Sequence, residues 1–124
     1  MVNMDGVVHG NSRAEISGAD PNRKWVSPHK LRNPVIYALK KAIEKDKGNI
    51  AMVLDLHSHS RKLGTFFYGN SFRESKMSTR KLPMMVCLND KRFSYTSCRF
   101  SPCNSSSARH VLFENLQIPL IYTV

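Results

Sequence analysis

An unbroken apolar run, Ile50-Ala51-Met52-Val53-Leu54, follows directly on a segment with helical spacing, and this helix-then-strand order narrows the chain to the α/β class. The helix is predicted to start at Asn33, an N-cap residue with Pro34 at the first position. It runs through Ile36, Leu39 and Ile43 to a stop at Gly48. Five consecutive apolar residues offer no polar face, so they read as a parallel strand buried on both sides. Ligands in open α/β sheets gather beyond the carboxyl ends of such strands, which is where Asp55-Leu56-His57-Ser58-His59-Ser60 stands. His57 is thereby placed to ligate a metal or to act as a base.

A length of 124 residues suits one domain or a piece of one. No apolar run approaches the ~20 residues of a membrane span, and Met1-Val2-Asn3-Met4-Asp5 has neither the basic nor the apolar part of a secretory signal. Three cysteines, Cys87, Cys98 and Cys103, fit reduced thiols better than a disulfide framework, so a cytoplasmic location without membrane contact is expected. The formal net charge of +10 concentrates anions around the chain and implies an acidic partner, either nucleic acid or an acidic protein tail. A single-strand nucleic-acid module would interleave aromatic with basic residues, whereas Phe66, Phe67, Phe93, Phe100 and Phe113 read as core, so nucleic acid is the lesser expectation. A structural zinc site drawn from Cys87, Cys98, Cys103 and His110 has one permitted spacing, Cys-x4-Cys, and otherwise irregular ones.

Residues 3–25 are rich in Gly, Asn, Asp and Ser and read as a loop. The spacing of Arg13, Asn22, Arg23 and Trp25 within it marks it as a site loop. Lys40, Lys41, Lys45 and Lys47 in the second half of the helix read as a solvated face near its negative end. Thr65-Phe66-Phe67-Tyr68 predicts a short aromatic strand ending at Gly69, and residues 71–81 fit either a surface helix or a polar excursion. Residues 82–88, with Pro83 and two methionines, read as packing material, and alternation from Phe93 predicts a strand to about Phe100. Ser105 to Ser107 offer N-caps for a helix over 108–116, and residues 120–124 predict a last strand.

In order along the chain stand Asn3-x-Asp5-Gly6-Val7, Gly10-Asn11-x-Arg13, Gly18-x-Asp20-x-Asn22-Arg23-x-Trp25, Asp55-Leu56-His57-Ser58-His59-Ser60, Tyr68-Gly69, Phe93-x4-Cys98-x-Phe100 and Ala108-Arg109. This series resembles the zinc metallocarboxypeptidases of the carboxypeptidase A superfamily. Within them it resembles the cytosolic carboxypeptidases, which trim glutamates from tubulin and related acidic tails. Met4, Pro21 and Ser58 depart from the family's usual proline, leucine and glycine.

The resemblance implies Zn2+ as cofactor and His57 as its third protein ligand, with Asp55 either orienting that ring or capping the strand end. It implies that His59 lines the substrate site without touching metal. Arg13 matches the arginine that polarises the substrate carbonyl and steadies the developing oxyanion. Asn22 and Arg23 match the pair that holds the substrate's terminal carboxylate, and Arg109 stands near the floor of the terminal side-chain pocket, where it would select glutamate or aspartate. The implied partners are acidic C-terminal tails of the polyglutamylated-tubulin kind.

No His-x-x-Glu occurs in the chain, and the family's catalytic glutamate would be expected immediately after Val124. Residues 1–124 therefore read as a partial zinc carboxypeptidase domain, the middle portion of a mixed, mostly parallel sheet with flanking helices. Such a chain is expected to be inactive alone. The alternative is a nonenzymatic relative that still binds acidic tails.

Overall fold

The computed structural model describes residues 1–71, 77–101 and 105–124. Cys103 and the middle of the polar excursion, 72–76, lie outside these. Among the described residues four α-helices, α1 (Met4–Val8), α2 (Pro34–Asp46), α3 (Lys81–Asn89) and α4 (Ala108–Leu116), accompany strands β1 (Val53–Asp55), β2 (Tyr68–Gly69), β3 (Arg99–Phe100) and β4 (Ile121–Thr123). The strands form one mixed sheet in the order β1-β4-β2-β3, with β1 parallel to β4, β2 parallel to β3 and β2 antiparallel to β4. The fold is thus the α/β arrangement with a mostly parallel sheet that the sequence implies.

The doubly covered strand is β4, because its consecutive residues point to opposite faces and both find a core. Ile121 joins Trp25, Ile36, Ala108, Val111 and Leu112 on the face carrying α2 and α4. Tyr122 joins Phe66, Phe67, Phe93 and Cys98 on the other. The run from Ile50 to Leu54, expected to be buried on both sides, instead ends in an edge strand whose one neighbour among the described residues is β4. Val53 packs on the first core while Met52 and Leu54 are 39% and 44% exposed. Its length of apolar sequence does not distinguish an edge from a centre; the number of hydrogen-bonded neighbours does.

Three other local expectations change. The loop over 3–25 contains α1 and a 3-10 turn at Pro21–Arg23, because Asn3 and Asp20 accept hydrogen bonds from the backbone N–H groups of Gly6 and Asn22. The segment 82–88 lies in α3, where Pro83 occupies the first turn and so removes no helical hydrogen bond, while Leu82 and Val86 pack on the second core. The strand expected over 93–100 contracts to one bridge at Phe93 and to β3, since a 3-10 turn over Tyr95–Ser97 forms where the Ser94 hydroxyl donates to Ser97 Oγ at 2.8 Å. In α2, Lys40 does more than face solvent: half-buried, its ammonium donates to the carbonyls of Trp25 and Val26, both at 2.9 Å, and ties the loop to the helix.

Gly69 lets β2 and β3 approach. A Cβ there would stand 2.8 Å from Phe100 Cδ1 and 3.2 Å from Tyr122 Cδ1, so any side chain would part the second core.

Candidate functional site

The pairing of β1 with β4 continues past the strand ends, with the His57 N–H donating to the Val124 carbonyl at 2.8 Å. This fixes His57 at the carboxyl end of the sheet. Asp55, two residues earlier, points to the same side, and its Oδ1 lies 3.0 Å from His57 Nδ1. The Asp55 hydrogen bond, followed by its charge, raises the His57 pKa above its usual value against the opposing effect of burial. His57 keeps 40% of its side chain exposed, and Asp55 Oδ2 is buried with no hydrogen-bond partner among the described residues.

Asn22 is the residue that joins the loop to this ring. Its Nδ2 lies 3.2 Å from His57 Nε2, and its Oδ1 accepts the Ala108 N–H at 2.9 Å. The second bond assigns the amide: with Oδ1 turned to α4, Nδ2 must donate, so His57 Nε2 accepts and Nδ1 carries the proton to Asp55. This is the tautomer of a metal-ligating histidine backed by a carboxylate. The serines expected to cap α4 do otherwise, for Ser107 makes no side-chain cap bond and Ser105 Oγ accepts the Ser107 N–H at 3.1 Å. Sequence reading missed this cap because Asn22 and Ala108 are 86 residues apart.

The other candidate residues gather around that link to different degrees. Arg13 forms an ion pair with Asp20 at 2.8 Å, and Asp20 also accepts the Asn22 N–H at 2.9 Å, so Arg13 reaches His57 through two loop residues. Arg23 donates to the Asn22 carbonyl at 3.0 Å and is exposed. Arg109 Nη1 donates to the Gly69 carbonyl and to Asn70 Oδ1, each at 2.7 Å, while Asn70 Nδ2 returns a bond to the Arg109 carbonyl. Arg109 thus clamps the end of β2 to the first turn of α4. His59 makes no bond to His57: its Nδ1 accepts from the Arg61 and Lys62 N–H groups at 3.1 and 3.0 Å, and its Nε2 meets the Tyr68 hydroxyl at 3.3 Å.

The loop that delivers Arg13 and Asn22 depends on Gly6. A Cβ at that position would collide with the Ala14 carbonyl and the Asn3 side chain, which itself donates to Ala14 at 3.1 Å. Gly6→Ala is expected to destabilise the chain by about 1 kcal/mol, at the low end of overpacking. Its amide-exchange protection should fall in residues 3–25 and hold in α4; unchanged protection of the loop would contradict the assignment.

A metal requires more than this ring. Among the described residues no group of three or more His, Cys, Asp or Glu side chains could hold an ion, which covers the cysteine alternative as far as Cys87, Cys98 and His110 reach. His57 Nε2 is met by Asn22, and the described residues do not form a metal centre.

The chain matches no family model. Among curated proteins it is 36% identical over 107 residues to cytosolic carboxypeptidase 6 of Mus musculus, covering 82% of this chain and 20% of that protein. To cytosolic carboxypeptidase 1 of Danio rerio it is 33% identical over 144 aligned positions, covering all of this chain and 12% of that protein. The chain is similar to one stretch of the cytosolic carboxypeptidases. It spans a fifth or less of the length of these curated relatives.

Solved structures extend the likeness to the fold. A metallo-carboxypeptidase from Pseudomonas aeruginosa in complex with (2-guanidinoethylmercapto)succinic acid superposes with a TM-score of 0.82 at 21% identity, covering 98% of this chain and 34% of that one. The metallo-carboxypeptidase from Burkholderia cenocepacia gives 0.72 over 99% of this chain and 33% of its own. These solved structures accordingly share the fold whose sheet positions His57. No helix among the described residues is long and apolar enough to cross a membrane.

Proposed function

We propose that the chain is part of a cytoplasmic zinc metallocarboxypeptidase that removes C-terminal glutamates from acidic protein tails such as polyglutamylated tubulin. The observation that carries this reading is His57 at the strand end, its Nδ1 proton held by Asp55 and its Nε2 lone pair facing Asn22 of the site loop. Zinc, when bound, would polarise the scissile carbonyl and activate a water, and His57 would supply one of the ligands it needs. Asn22 and Arg23, adjacent on one 3-10 turn, are suited to the two oxygens of a terminal carboxylate, and Arg13 beside them to the substrate carbonyl. Arg109 is assigned to an acidic terminal side chain. The formal charge of +10 favours such substrates through their approach.

The lack of a three-ligand group among the described residues favours a second reading for these 124 residues alone, that they bind acidic tails without cleaving them. The test is glutamate release from a polyglutamylated peptide, measured with the 124-residue chain and with a longer form carrying a full carboxypeptidase domain. The longer form should turn over and lose more than a thousandfold with His57→Ala, while the short chain should bind and release nothing. Turnover by the short chain, or an active His57→Ala longer form, would contradict the assignment.

A further inference from the structure

The geometry points to a carboxylate-binding subsite built on Lys62 and Tyr68, in a pocket that His57 also lines. A pocket of about 160 Å3 there is bounded by His57, His59, Lys62, Phe66, Tyr68 and Thr123 among others, and no aspartate or glutamate lines it. None of Arg13, Asn22, Arg23 or Arg109 lines it either, so it is separate from the groups assigned to the terminal residue.

Lys62 is held in place before any ligand arrives. Its ammonium donates to the Ser97 carbonyl at 3.0 Å and lies 4.8 Å from the ring centre of Phe66 and 5.4 Å from that of Tyr68. The ion pairs among the described residues are made by other groups, which leaves this half-buried cation without a carboxylate. An ammonium has three donors, and one carbonyl satisfies one of them. Because the side chain is already restrained, a ligand would gain its hydrogen bonds at little ordering cost.

Tyr68 supplies the second donor. His59 Nδ1 accepts two backbone N–H groups, so in the neutral ring Nε2 carries the proton and donates to the Tyr68 oxygen. The hydroxyl keeps its own hydrogen for a ligand. Two donors in one pocket with the Phe66 ring fit one carboxylate on a short apolar stem, which is the side chain of glutamate or aspartate. Resting on the reading under Proposed function, with the terminal residue held by Asn22 and Arg23, the pocket takes the side chain of the residue before it.

Binding to the 124-residue chain tests this apart from hydrolysis, so either reading can fail alone. The probes are acetyl-Glu-Gln and acetyl-Gln-Gln, which differ only in the penultimate side chain. The wild-type chain should prefer acetyl-Glu-Gln about tenfold, the size of one charge-assisted hydrogen bond, with shifts of the Phe66 and Tyr68 ring resonances for that peptide alone. Lys62→Met, which keeps the stem over the rings, should abolish the preference, and Lys62→Arg should retain it. Equal affinity for the two peptides, no saturable binding of either, unshifted ring resonances in the wild type, or a preference that survives Lys62→Met would each overturn the subsite.

Discussion

Truncation of Tyr122 to alanine will lower stability by about 3–5 kcal/mol, a large share of what a domain of this size possesses. Tyr122 has 0% of its surface exposed, and its ring centre lies 5.2 Å from that of Phe67 in the second core. Its hydroxyl donates to the Thr79 carbonyl at 2.8 Å, so truncation opens a cavity and strands a buried acceptor together. Tyr122→Phe separates the two effects, since it keeps the ring and should cost about 1–3 kcal/mol for the unsatisfied carbonyl. Burial pushes the Tyr122 phenol up to about 12 from an ordinary 10. The folded chain therefore holds the proton where the unfolded chain has released it, and stability should fall as the pH rises from about 10 towards 12. Urea unfolding of wild type and Tyr122→Phe across that range checks the sign: the slope attributable to this phenol should vanish in the variant. A wild-type chain as stable at pH 12 as at pH 9 would contradict the burial of Tyr122.

The second large effect belongs to Asn22. Asn22→Ala removes the partner of the Ala108 N–H and that of His57 Nε2, with an expected loss of about 1–3 kcal/mol from the cap and the side-chain bond together. Asn22→Asp distinguishes them. A carboxylate still accepts from Ala108, and it suits the positive end of α4. Facing His57 Nε2, however, it can only accept, so the ring must be protonated to satisfy both it and Asp55. The His57 pKa, already raised by Asp55, should rise further in Asn22→Asp. A raised histidine pKa contributes stability that is complete below about 6.5 and is lost as the pH climbs through the folded value. Asn22→Asp should thus be steadier at pH 6 than at pH 8, with the imidazole nitrogen shifts titrating later than in wild type. An unmoved His57 titration in Asn22→Asp would show that the two side chains do not meet.

Much of the site was legible before the fold. The Asp-x-His spacing puts carboxylate and imidazole on one side of an extended chain, and a local period of two suffices to bring Asp55 under His57. The clustering of Arg13, Asn22 and Arg23 in one loop was equally visible from their spacing. What Asn22 does with its two amide ends was not, because α4 begins 86 residues later and no local pattern reports a bond across that distance. Lys62 is illegible for the same reason: a lysine between two strands becomes a restrained cation only when Ser97, Phe66 and Tyr68 arrive around it.

The sequence by itself determined the α/β class, the helices α2 and α4, the strand leading to His57 and the order of the carboxypeptidase motifs. These rest on periodicity, capping and short spacings, which act within a few residues. The tertiary structure alone decided which strand is central. β4 gains two neighbours and two cores, β1 gains one of each, and an apolar run looks the same in either place. It also decided that His57 Nε2 is met by Asn22, since the direction of a lone pair depends on partners the chain brings from far along its length.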